Sequence, residues 1–82
     1  MSAASTFVVM MSGGPLAAAS TLDAAKDDAE KSEAAYAVKG ETRWDEYRPG
    51  EWRLMRRAVG RRRFAWSQYW VAEVPDVSGV SR

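Results

Sequence analysis

The chain has 82 residues, with twelve Lys and Arg against eleven Asp and Glu, and contains neither His nor Cys. That length suits one domain, residues 1–82, and a chain so short buries only about 60 to 65% of its unfolded surface, so its stability margin is thin. Lacking His and Cys, it has neither the commonest base at neutral pH nor the commonest zinc ligands, and no disulfide framework can staple it.

Residues 1–5 are small and polar and read as a lead-in. Residues 6–11 are apolar and β-branched, which predicts a buried strand. The tetrad Ser12-Gly13-Gly14-Pro15 is a turn signal, because Gly tolerates positive φ and the Pro ring locks its own φ at a negative value. Residues 16–20 fit either a return strand or, with Pro15 at its first position, the opening of a helix; the hairpin is the preferred reading. Ser20 then reads as a helix cap, able to accept from the amide of Asp23, and residues 21–38 as a helix rich in Ala, Lys, Glu and Asp. Leu22, Ala25, Ala29 and Tyr36 fall near one face of it, and Gly40 suits its C-terminal cap.

The remainder alternates like a sheet. Residues 41–48 lead into Pro49-Gly50, a pair typical of a type II turn. Residues 52–59 follow, then a turn at Gly60, then a strand over 63–74. In that last strand Phe64, Trp66, Trp70, Ala72 and Val74 share one face, and Arg63, Ala65, Ser67, Tyr69, Val71 and Glu73 share the other. A small protein needs large rings in its core, so Trp66 and Trp70 are expected to pack against the helix, with Tyr69 left at the surface. Pro75 ends the strand, and residues 76–82 read as a polar tail. The expected fold is α+β: a small antiparallel sheet in β-β-α-β-β-β order with one helix packed on one face.

Charge is unevenly placed. Residues 1–42 hold three Lys and six acids, whereas residues 43–82 hold nine Arg and five acids. Asymmetry between halves marks an interaction surface. Its densest part is residues 53–63, which carry Arg53, Arg56, Arg57, Arg61, Arg62 and Arg63, with no acid anywhere from 52 to 72. Around a hairpin tip at Gly60 these side chains repel one another unless water, nearby carboxylates or an anionic partner offsets them. The helix acids Asp23, Asp27, Asp28, Glu30 and Glu33 could supply that offset, or the Arg stems could simply cover ring edges and point their heads into water. Arginine also grips phosphate bidentately and stacks on bases, which makes these six, with Tyr69, the candidate nucleic-acid-binding residues.

Other motifs carry less. Asp45, Glu46 and Glu51 have no nucleophile beside them, and pairing with Arg43, Arg48 or Arg53 is their expected use. Asp27 and Asp28 lack the alternation of a calcium loop, and Gly13-Gly14 lacks the Lys-Ser or Lys-Thr of a phosphate-binding loop. No catalytic residue, metal, cofactor or small-molecule substrate is therefore expected. No run approaches the roughly 20 apolar residues of a membrane span, and the first basic residue, Lys26, comes too late for a secretory leader. A cytoplasmic protein is expected, from a GC-rich genome such as that of an actinobacterium or its phages, to judge by nine Arg against three Lys. The expected function is a non-catalytic binding module that presents an Arg-rich hairpin to nucleic acid. The alternative is an accessory factor that binds a protein partner through its acidic helix or its aromatic sheet.

Overall fold

The computed structural model describes residues 5–35 and 40–75. The chain runs β1 (Ser5–Met11), β2 (Gly14–Ala19), α1 (Leu22–Ala34), β3 (Gly40–Arg48), β4 (Glu51–Ala58) and β5 (Ala65–Pro75). The α+β class and the element order are as expected. The five strands form one sheet in the order β2-β1-β5-β4-β3, and every neighbouring pair is antiparallel. The last strand therefore lies in the middle, between the first hairpin and the second. The helix carries the chain from the β2 edge towards the β3 edge and packs on β5, β1 and β2. Among the described residues, no helix is long and apolar enough to cross a membrane.

Register decides which side chains meet the helix, because directly opposed residues share a face. Val9 opposes Val71, Trp52 opposes Val71, and Trp44 opposes Leu54. Val9, Leu54 and Val71 are fully buried, together with Ala25 and Ala29 of the helix. Spaced four apart, these alanines lie on one face of α1 and let its backbone approach the sheet closely. Phe7, Leu22, Trp44 and Trp52 pack around them.

That close approach corrects the expected core. Trp66 and Trp70 do share a face, but it is the face turned away from the helix. Trp66 is 37% exposed, while Tyr69, expected at the surface, is 5% exposed and lies in the core. Strand parity groups residues correctly; it does not say which group is covered. A helix held close by two alanines covers Val9, Leu54 and Val71, and the indoles on its side are Trp44 and Trp52 of the second hairpin rather than Trp66 and Trp70.

The helix ends also differ from expectation. The cap is Thr21, whose Oγ1 accepts the Ala24 amide at 3.1 Å, and not Ser20. Residues 14–19 form a strand, so the hairpin reading of this segment holds and a helix starting at Pro15 does not. The helix stops at Ala34, earlier than expected, and Tyr36 lies outside the described residues, as do 1–4 and 76–82. Gly40 is the first residue of β3 rather than a helix cap. It opposes Ala58, and a Cβ there would overlap the Arg57 carbonyl oxygen. Gly50 takes φ +82°, as a type II turn after Pro49 requires. The final strand starts at Ala65, which leaves Arg63 and Phe64 in the connection.

Candidate functional site

With α1 on one face, the opposite face of the sheet is uncovered by any described element. Along β4 the residues Glu51, Arg53, Met55 and Arg57 alternate onto it. Arg53 opposes Trp70 and Met55 opposes Trp66 on β5, while Arg43, Asp45 and Glu41 come from β3. Over the roughly 13 Å from Arg53 to Arg57 expected at strand rise, basic and aromatic groups interleave. The Arg53 guanidinium stands 3.6 Å from the Tyr47 ring centroid and 4.8 Å from that of Trp66. Further along, Phe64 folds back onto the sheet, with Arg43 at 4.4 Å and Arg57 at 4.8 Å from its centroid. Arg48 lies 4.8 Å from Tyr47. All are within the ~6 Å at which a guanidinium is attracted to an aromatic quadrupole. The rings thus hold like-charged groups in place, side by side.

A β-bulge shapes the middle of this face. Arg53 pairs with Trp70 and Met55 with Trp66, so Ser67, Gln68 and Tyr69 together span the position of Leu54. Two residues four apart on a regular strand stand about 13 Å apart. Here they occupy adjacent rows of the partner strand, about half that separation. Gln68 takes φ +79° at the apex, and Ser12, facing it from the first hairpin, takes φ +52°. They are the only non-glycine residues at positive φ among those described. Five hydrogen bonds fasten the bulge. The Ser12 amide donates to the Gln68 carbonyl at 2.9 Å, and Ser12 Oγ donates to Gln68 Oε1 at 2.5 Å. Ser67 Oγ donates to the Leu54 carbonyl at 2.7 Å and accepts the Tyr69 amide at 3.2 Å. Trp66 Nε1 donates to the Tyr69 carbonyl at 3.1 Å, which fixes the indole plane. Beside the bulge lies a cleft of about 260 Å³, lined by Ser12, Tyr47, Arg48, Glu51, Arg53, Trp66 and Trp70.

The expected binding residues separate into three places. Arg53 and Arg57 are on the open face, and Arg57 also pairs with Glu41. Arg61, Arg62 and Arg63 are exposed in the connection after Gly60, whose φ of +85° turns the chain and whose neighbour Arg61 donates its amide to the Ala58 carbonyl at 3.0 Å. Arg56 points to the helix side and pairs with the largely buried Glu33 at 2.8 Å. Tyr69 is in the core. The sheet therefore divides the basic cluster, with Arg56 and Tyr69 on the side away from Arg53 and Arg57. Of the helix acids, Glu33 offsets a hairpin arginine as anticipated, whereas Glu30 accepts from Trp44 Nε1 at 2.7 Å. Asp27 pairs with Lys31 at 3.0 Å; its hydrogen bond and charge raise the Lys31 pKa above the ordinary value. Asp45 meets Arg43 at 3.2 Å and Glu51 meets Arg48 at 3.1 Å, which is the expected use of those carboxylates.

Sequence reasoning missed Tyr47, Phe64, Trp66, Trp70, Arg43 and Arg48 as parts of one surface. A signal was available: Arg53, Met55 and Arg57 share a parity opposite to that of Leu54, so they had to lie on the face away from Leu54's core. No protein-family model, curated protein or solved structure matches this chain. Its chemistry is read from the geometry alone: fixed aromatic planes, guanidinium groups lying against them, and a loop of three exposed arginines adjoining.

Proposed function

We propose that this protein is a non-catalytic, cytoplasmic module that binds single-stranded nucleic acid on the open face of its sheet. The observation that supports this reading is the alternation of Tyr47, Arg53 and Trp66, and of Arg43, Phe64 and Arg57, on a face that no described element covers. Unstacked bases lie on aromatic and guanidinium planes, and their phosphates are held by arginine. Arg61, Arg62 and Arg63 extend the basic character beyond the end of the same strands. A duplex hides its base faces, so the stacking platform favours single strands.

Titration of labelled single- and double-stranded probes at low and moderate salt tests the reading. The single strand binds more tightly, and Trp66→Ala weakens it by about 1 to 3 kcal/mol, the usual worth of one stacked base. No binding of any probe at low ionic strength, where electrostatic attraction is strongest, overturns it. Exposure of Tyr47 (49%), Trp66 and Val74 (46%) also suits a protein partner. That second reading predicts no affinity for nucleic acid and recovery of one specific protein whose binding changes little with salt.

A further inference from the structure

The cleft beside the bulge has features that a general stacking surface does not need. We infer that it seats a single base of the bound strand and selects guanine, with Glu51 reading the base edge. The inference rests on the single-strand reading above and adds a recognition site to it.

Shape comes first. Ligand sites for drug-sized molecules measure about 300 to 1,000 Å³. At about 260 Å³, this cleft suits one planar ring system rather than a larger ligand. Its aromatic lining is Tyr47, Trp66 and Trp70, and the two indoles flank it only because the bulge brings residues four apart onto adjacent rows. A regular β5 would place Gln68 between them. Ser12 and Gln68 are held at positive φ, a strained conformation for residues with a Cβ, and strain of this kind concentrates at ligand sites. Bulges likewise recur next to functional sites, where they re-aim side chains.

Polarity then narrows the ligand. Among the described residues Glu51 is the one carboxylate lining the cleft, and its side chain is 32% exposed. An ionised carboxylate only accepts hydrogen bonds, with two oxygens offering about four lone-pair sites. Arg48 Nε occupies one at 3.1 Å and thereby orients the group. A partner must therefore offer donors. Guanine presents two adjacent donors, N1–H and the N2 amino group, beside the acceptor O6. Adenine and cytosine each present one amino donor next to a ring acceptor, and thymine presents one donor between two acceptors. Two parallel bonds to Glu51 are open to guanine alone. The guanidinium groups of Arg48 and Arg53, also in the cleft lining, are donors that suit O6.

The test uses the whole protein and short oligothymidylates carrying one central guanosine, adenosine or cytidine, with an all-thymidine control. At low salt the guanosine strand binds about tenfold more tightly than the control, within the range of one well-formed bidentate base contact. Glu51→Gln, checked for an unchanged denaturation midpoint, abolishes that preference, so that the guanosine and all-thymidine strands bind alike, whatever the loss of a negative charge adds to the affinity for both. Guanosine monophosphate in excess reduces the guanosine strand to the level of the control. Equal binding of all four strands, or a guanosine preference that survives Glu51→Gln, overturns the base pocket while the single-strand reading stands. Failure of every strand to bind overturns the single-strand reading itself.

Discussion

A backbone carbonyl, not a turn, dictates glycine at position 40. A Cβ on Gly40 would overlap the Arg57 carbonyl oxygen and crowd the Ala58 Cα at 3.1 Å. Gly40→Ala therefore forces β3 and β4 apart and destabilises the protein by about 1 to 3 kcal/mol, the usual range for overpacking. At Gly13 an added Cβ meets nothing within 4 Å, and Gly13→Ala serves as the mild control in the same urea titration. An unchanged midpoint for Gly40→Ala would show that the strands can part there freely. The same measurement separates the two faces of the sheet. Leu54 is fully buried, so Leu54→Ala lowers stability by about 2 to 5 kcal/mol. Trp66→Ala, on the open face, costs about 1 kcal/mol, chiefly its hydrogen bond to Tyr69. Reversal of that order would put the indoles back in the core.

At the scale of elements, two local devices set the geometry. The first is the cap of α1. Thr21 accepts the Ala24 amide, so Thr21→Ala destabilises by about 0.5 to 2 kcal/mol and Ser20→Ala has little effect; chemical denaturation of the pair decides which residue starts the helix. The second device is the bulge. A β-branched side chain strongly disfavours positive φ, so Gln68→Val straightens β5 or destabilises it, whereas Gln68→Gly fits the backbone. Near-UV circular dichroism reports the packing of Trp66 and Trp70. It should change with valine and stay close to wild type with glycine; identical spectra for both would mean the indoles do not depend on the bulge. Strand positions and the Pro49-Gly50 turn were legible because alternation and turn chemistry are local. The bulge was not, since nothing local to Ser67-Gln68-Tyr69 requires positive φ, and three of the five hydrogen bonds that hold it involve Ser12 or Leu54, more than ten residues away in the chain.

Over the whole molecule, the acidic helix lies on one side of the sheet and the arginine-rich surface of β3 and β4 on the other. Helix α1 carries five acids and two lysines, while the open face and its adjoining loop carry seven arginines against Glu41, Asp45 and Glu51. An anionic chain is drawn to one side and repelled from the other, which orients encounter. If four arginines reach phosphates of a single strand, affinity falls with a log–log salt slope of roughly −3. Replacing Arg61 and Arg62 together with Ala reduces that slope by about one and a half without changing any base preference, because phosphate contacts position the strand and do not read it. A slope unmoved by this double substitution would place the loop outside the interface.

The α+β class, the order of elements, the grouping of Phe64 with Trp66 and Trp70, and the concentration of arginine after residue 42 all follow from local rules: strand alternation, helix propensity and turn chemistry act between residues a few positions apart. Which face of the sheet the helix covers does not follow from them. Both groups of alternating residues in β5 are apolar enough to be buried, and the choice falls to contacts with Val9, Leu54, Ala25 and Ala29, each distant in sequence. Tertiary packing alone therefore places Tyr69 inside and Trp66 outside, sends Arg56 to Glu33 and Arg53 to Tyr47, and brings Ser12 and Glu51 to one cleft.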